Sequence, residues 1–274
     1  TYHFFEPGMD AKLQERRALE IDLRKALEGD ELDLYYQPLI CLDTNEISGF
    51  EALVRWHHPT RGMVSPVEFI PLAEEIGLIS AIGNWVLDRA CVDAMKWPSH
   101  VKVAVNLSPL QFKNNTLVFQ VIAALAKSGL PGHRLELEIT ETVLLRDTDS
   151  TVAMLNELRT LGVRISMDDF GTGYSSLGYL RKFPFDKIKI DRSFIQDLEA
   201  NPDSIAIVRA VASIGSALGM ATTAEGVETE AELAQLRHEG CTEVQGYLFS
   251  EPLPAKEIAT LMALQTLNLE REAV

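Results

Sequence analysis

The chain has 274 residues, 46% of them apolar and 24% charged, and 40 acidic against 25 basic side chains give a formal charge of −15. Ordinary globular usage excludes a disordered or fibrous chain, and the length suits one large α/β barrel or two modest domains. No apolar run approaches the ~18 residues that cross a bilayer, TYHFFEPGMD is not a basic-then-apolar leader, and the acid excess opposes DNA or RNA as a partner.

An extended TYHFFEP opens the chain, and a helix is predicted from Asp10 as N-cap to Gly29 as stop, with Leu19, Leu23, Ala26 and Leu27 on one stripe. LDLYYQPLI (32–40) and EISGFEALVRW (46–56) read as strands joined at Asp43-Thr44-Asn45, a link short enough to impose antiparallel pairing. Ser65-Pro66-Val67-Glu68 carries the pattern of a capping box and predicts a long helical region reaching about Trp97. Strands and helices then alternate: VKVAVNL, a helix near 115–128, LELEIT, a helix near 149–161, VRISMDD, a short helix near 175–181, and FDKIKID. A helix near 204–218, ATTAEG, a helix opened by Thr229-x-x-Glu232, EVQGYL and a last helix near 255–268 complete the series. Gly129, Gly162 and Gly240 stand where helices should stop. Single helices between strands imply a parallel sheet with right-handed crossovers, and eight such strands at this length favour a closed (β/α)8, TIM-like barrel with one antiparallel strand near its start. One domain over 30–274 is expected, with 1–29 as a lead-in helix and linker.

Barrel strands are usually apolar on both faces, and these are not. Alternation puts Lys102, Ala104 and Asn106 on one face; Glu136 and Glu138 share a face, as do Arg164, Ser166 and Asp168, and Lys187, Lys189 and Asp191. Helices cover the apolar face, so the polar set points into the barrel. Near the strand starts, Lys102, Glu136, Arg164 and Lys187 are mixed in sign and read as a structural charge layer. Near the ends lie Glu51, Asn106, Glu138, Asp168, Asp169, Asp191 and Glu225, at the rim where barrel enzymes place their chemistry. Two carboxylates ~4 Å apart repel by roughly 4 kcal/mol at an effective dielectric near 20, so such a gathering calls for cations. Oxygen donors without clustered Cys or His point to Mg²⁺ or Mn²⁺.

These motifs identify a family. EALVRW from Glu51, NLSP (106–109), ELEITE (136–141), DDFGTGYSSL (168–177), KIKID (187–191), AEGVE (224–228) and QGYLFSEP (245–252) resemble, in order and spacing, EAL-domain cyclic-di-GMP phosphodiesterases. The resemblance implies metal-dependent hydrolysis of cyclic-di-GMP to linear 5′-pGpG by in-line attack of an activated water, with two divalent cations, Mg²⁺ or Mn²⁺. It assigns Glu51, Asn106, Glu138 and Asp168 to the first metal, with Asp168 bridging to a second bound also by Asp169. Glu225 would serve as ligand or general base, and Lys189 would contact the water or the phosphate. Glu141 would fix the DDFGTG loop; Gln37, Leu53, Arg55, Asp191, Glu228 and Gln245 would be substrate-side or supporting. The lead-in looks like the junction that follows a GGDEF domain, and the family commonly forms homodimers. The rival implied by the family is a receptor domain that binds cyclic-di-GMP without cutting it; such receptors lose metal-set members, and every motif position here is intact.

Other readings fall away. Gly171-Thr172-Gly173 is no dinucleotide fingerprint, since Ser176 replaces the third glycine, and a loop closing over the site is the better reading. No Walker-type phosphate loop occurs. A glycosidase pair of Glu51 and Glu225 would leave the Asp168-Asp169 doublet and Lys189 without roles. His57-His58 is expected at the surface, and Trp56, Trp85 and Trp97 in packing. Cys41, Cys91 and Cys241, odd in number and without a C-x-x-C pair, read as reduced thiols of a cytoplasmic protein.

Overall fold

The computed structural model describes residues 9–113, 116–144, 148–171, 177–183, 185–196, 198 and 201–272; the extended lead and residues 172–176 of the expected loop lie outside them. Helix α1 (Met9–Glu28) leads into β1 (Leu32–Cys41) and β2 (Ile47–His58), joined through a turn in which Asn45 takes φ 61°. Then follow β3 (Gly62–Val64), α2 (Pro66–Glu75), α3 (Ile79–Ala94), β4 (Lys102–Leu107), α4 (Leu117–Ser128), β5 (Leu135–Thr140), α5 (Glu141–Leu144) and α6 (Thr148–Thr160). The remainder is β6 (Arg164–Phe170), α7 (Leu177–Lys182), β7 (Lys187–Ile190), α8 (Pro202–Leu218), β8 (Ala221–Glu225), α9 (Glu230–His238), β9 (Glu243–Gln245), β10 (Leu253–Pro254) and α10 (Ile258–Glu272).

The sheet closes. β2, β4, β5, β6, β7, β8 and β9 run parallel in that order, and β1 seals the seam by pairing antiparallel with both β2 and β9. The eight-stave α/β barrel and its single reversed strand agree with the alternation in the sequence. Outside the staves, β3 pairs with the far end of β2 and β10 with Tyr35 and Tyr36 of β1. The outward faces of the staves are the core: Val103, Val105, Leu137, Ile139, Ile165 and Ile188 are fully buried beneath the helices. Trp56 and Trp97 pack in this core, and Trp85 packs against it.

Two local expectations are corrected. The Ser65 side chain makes no cap bond, because the Glu68 amide donates to the Ser65 carbonyl instead, and the helical region splits into α2 and α3 at Gly77, whose φ of 76° ends a helix. Thr229 and Glu232, by contrast, form both halves of a capping box at the start of α9. His58 is buried rather than superficial: its Nδ1 accepts the Thr60 and Arg61 amides, and its Nε2 lies 3.2 Å from Asp22 Oδ2.

Inside the barrel, near the strand starts, lies the mixed charge layer. Lys187 Nζ sits 2.7 Å from Glu136 and 2.6 Å from Glu243, which also accepts hydrogen bonds from Ser48 and Thr223. Arg164 approaches Glu136 at 3.8 Å. Glu243 is the member that strand alternation alone had not singled out. Burial would raise its carboxyl, but Lys187 and Lys102 draw it down to about 2. Removing the cation from such a buried cluster leaves uncompensated charge. Lys187→Met is therefore expected to destabilise the fold by about 3–5 kcal/mol in a urea titration, while a cost below 1 kcal/mol would mean the layer carries no structural weight.

Candidate active site

The rim residues come from seven of the staves and converge because each is placed at or near the end of an inward face. One ammonium organises them. Lys189 Nζ, on β7, lies 2.6 Å from Glu225 of β8, 2.7 Å from Glu138 of β5, 3.1 Å from Asp168 of β6 and 3.6 Å from Glu51 of β2. Glu51 is further held by amides: Asn106 Nδ2 of β4 donates to its Oε1 at 2.6 Å, and Gln245 Nε2 of β9 donates to its Oε2 at 2.7 Å. The same Gln245 nitrogen also donates to Gln37 Oε1, and Gln37 Nε2 donates to the Ser250 carbonyl. This chain of amides ties the reversed strand to the site.

Adjacent strand residues point to opposite faces, so Asp168 and Asp169 should not converge. They do because β6 carries a bulge there: Met167 and Phe170 pair with Ile188 and Ile190, leaving two residues of β6 opposite one of β7. Asp169 takes φ 55°, a left-handed conformation that aspartate tolerates better than most residues. Carboxylate oxygens of Asp168, Asp169 and Glu225 consequently lie within 4.8 Å of one another. Just beyond, the Gly171 amide donates to Glu141 Oε1 at 3.0 Å, which anchors the chain as it leaves the bulge.

The remaining expected residues divide. Leu53 and Glu228 line the cavity above Lys189, about 230 Å³ in volume. Arg55 does not reach it: its guanidinium lies 5.6 Å from the centre of the Tyr35 ring, donates to the Val54 carbonyl, and borders a neighbouring apolar cavity of about 340 Å³. Asp191 accepts the Ser193 amide and so caps the turn after β7. Arg192, Gln196 and Tyr247 line the first cavity and had not been singled out. Their signal was weak, since Arg192 merely follows KIKID and Tyr247 sits inside QGYLFSEP.

Charge is badly out of balance here. Burial pushes the Glu225 carboxyl up to about 8 and raises Glu138 well above the usual range, because one ammonium cannot stabilise four neighbouring anions. Burial and Asp168 likewise raise Asp169. Burial would lower Lys189, yet Asp168, Glu138, Glu225 and Glu51 together hold it well above its ordinary value. Glu138 Oε1 is buried without a hydrogen-bond partner. An orphaned carboxylate oxygen, a convergent all-oxygen donor set and a deficit of positive charge all fit hard divalent cations.

Known proteins share this architecture. The EAL domain family model matches residues 20–252. The chain is 46% identical over 266 residues to the bifunctional diguanylate cyclase/cyclic di-GMP phosphodiesterase MucR of Pseudomonas aeruginosa, covering 96% of this chain and 39% of that protein. It is 45% identical over 255 residues to the cyclic di-GMP phosphodiesterase NbdA of the same organism, covering 92% and 33%. A solved structure of the PaMucR phosphodiesterase in complex with c-di-GMP superposes with a TM-score of 0.85 at 45% identity, covering 88% of this chain and 99% of that one. The chain spans about a third of the length of the curated relatives it matches, 31% for two of them. With barrel, rim and motif series in agreement, the chain belongs to the EAL domain family.

Proposed function

We propose that this domain hydrolyses one phosphodiester of cyclic-di-GMP to give linear 5′-pGpG. The observation that carries the reading is the rim itself, where four carboxylates share one lysine and three oxygen donors of Asp168, Asp169 and Glu225 already face a common point. The names of MucR and NbdA support the choice of substrate. Glu51, Asn106, Glu138 and Asp168 would hold one divalent cation and Asp168, Asp169 and Glu225 a second; when bound, Mg²⁺ or Mn²⁺ supplies the Lewis acidity that brings a water pKa towards neutrality and screens the ester charge.

The chain's own groups do the positioning. Asn106 and Gln245 occupy both oxygens of Glu51 and fix its plane. Lys189 holds Glu138 and Asp168 at a set separation and brings a permanent positive charge to the cavity floor, over which the scissile phosphate would lie. Of the four carboxylates around it, Glu225 has the most exposed side chain, 21% against 0% for Glu138, so its carboxylate is the one placed to take a proton from an attacking water. Leu53, Gln37, Glu228 and Tyr247 border the space left for the nucleotide. An upstream GGDEF domain and a homodimer belong to the same proposal. The complete acidic set favours the enzyme over a receptor.

Incubation with cyclic-di-GMP and Mn²⁺ is expected to release 5′-pGpG on chromatography, with reversible loss of product on EDTA treatment. Glu51→Ala is expected to lower kcat by about a thousandfold or more while weakening nucleotide binding less; wild-type turnover in that variant would refute the assignment. The lysine provides a check independent of activity. Lys189→Met leaves four carboxyl groups without their shared cation, so its Tm in EDTA is expected to fall by at least about 5 °C, and saturating Mn²⁺ should raise the Tm of this variant more than that of the wild type. Equal metal-induced shifts would show that cation and lysine do not share the same carboxylates.

A further inference from the structure

Strand β2 is built in two halves. From Gly49 to Ala52, the stretch containing Glu51, it is paired on both edges, with β1 and with β4. Beyond Ala52 it leaves β4: Leu53, Val54 and Arg55 pair only with β1, and Trp56, His57 and His58 pair with the three-residue β3. The result is an arm that projects past the barrel wall, yet its inner residues border both cavities, Leu53 the two of them and Arg55 the apolar one.

Helix α1 is docked on that arm. The two amides at His58 Nδ1 leave the ring proton on Nε2, aimed at Asp22 Oδ2 of α1. Arg61, in the β2–β3 turn, pairs with Glu15 at 3.1 Å, and Arg16 pairs with Glu75 at the end of α2. At the exit of α1, Glu31 accepts the Trp56 indole N–H through its side chain at 3.0 Å and the His57 amide through its carbonyl at 2.8 Å. Leu19 and Leu23, on the apolar stripe of α1, are buried, and Leu19 borders a cavity with Pro71 and Leu72 of α2. Each of these polar contacts falls on the arm, on the turn that follows it or on α2, and none of them on the doubly paired half of β2.

We propose that α1 and this arm form a lever, in which Asp22 is a positioning residue and the docking of α1 sets where Leu53 stands at the nucleotide cavity and Arg55 at the apolar cavity beside it. A pull on the segment before α1 then changes nucleotide affinity while Glu51 stays fixed in the barrel wall. Linkage makes the effect reciprocal, so bound nucleotide holds α1 down. The nucleotide half of this inference rests on the reading proposed above; the mechanical half does not.

Hydrogen exchange followed by mass spectrometry separates the two. In Leu23→Asp, and more mildly in the double variant Glu15→Ala with Asp22→Ala, exchange without nucleotide is expected to rise about tenfold in 14–28 and 53–58 and to stay unchanged in 102–107 and 135–140. With cyclic-di-GMP the double variant should show a KM about fivefold higher with kcat within about twofold of wild type, and cyclic-di-GMP with Ca²⁺ should slow exchange of wild-type α1 about fivefold. An α1 that exchanges freely while 53–58 stay protected overturns the lever, as does an α1 that stays protected in Leu23→Asp. A wild-type chain that binds no cyclic-di-GMP sinks the proposed function and leaves the exchange result standing.

Discussion

A buried ammonium in contact with four carboxylates from four different strands is the constraint around which the rim is arranged. Lys189 is the only group in that set able to attract all four, and each contact fixes the end of one stave relative to β7. The amides of Asn106 and Gln245 extend the same control to Glu51 without adding charge, which suits a place where anions are already in excess. A second lysine there would reduce the excess negative charge that a divalent cation needs.

The barrel contains the comparison that makes this meaningful. Two residues below Lys189 on the same strand, Lys187 lies among Glu136, Glu243, Arg164 and Lys102, three cations to two carboxylates. There the carboxyl of Glu243 is drawn down to about 2, whereas in the layer above that of Glu225 is pushed up to about 8. Burial acts in the same direction on both. The difference comes from the balance of charge, so one layer is closed electrostatically and the other open to further cations. Strand alternation carries the chain from one layer to the next on β5, β7, β8 and β9.

That alternation is why so much was legible from residues alone. Polar side chains at every second position, repeated over four strands between amphipathic helices, specify an inward polar face, and a turn too short for a crossover specifies one reversed strand. Period arguments fail where the backbone departs from its period. The approach of Asp169 to Asp168 depends on a bulge and a positive φ, and nothing in the doublet announces either. Arg55 shares the parity of Glu51, yet it turns to Tyr35 because β2 has by then left β4. His58 departs from its expected place for a related cause: a histidine before Pro-Thr-Arg-Gly looks like a loop residue, whereas its ring is buried and faces Asp22 of α1. The helix break at Gly77 and the unused cap at Ser65 are tertiary outcomes that local propensity does not reach.

The division of β2 separates two requirements that pull in opposite directions. The cation proposed for this rim needs a fixed oxygen, and Glu51 offers one, with both strand edges paired and both carboxylate oxygens bonded. A nucleotide cavity must admit and release a large anion, which requires some of its wall to move. Leu53 and Arg55 lie two and four residues further along the same strand, beyond the point where β4 pairing stops. Ending one set of ladder bonds at Ala52 therefore sets a rigid carboxylate, suited to the proposed metal, beside an adjustable stretch of wall, and the proposed lever puts control of that wall in the contacts made by α1.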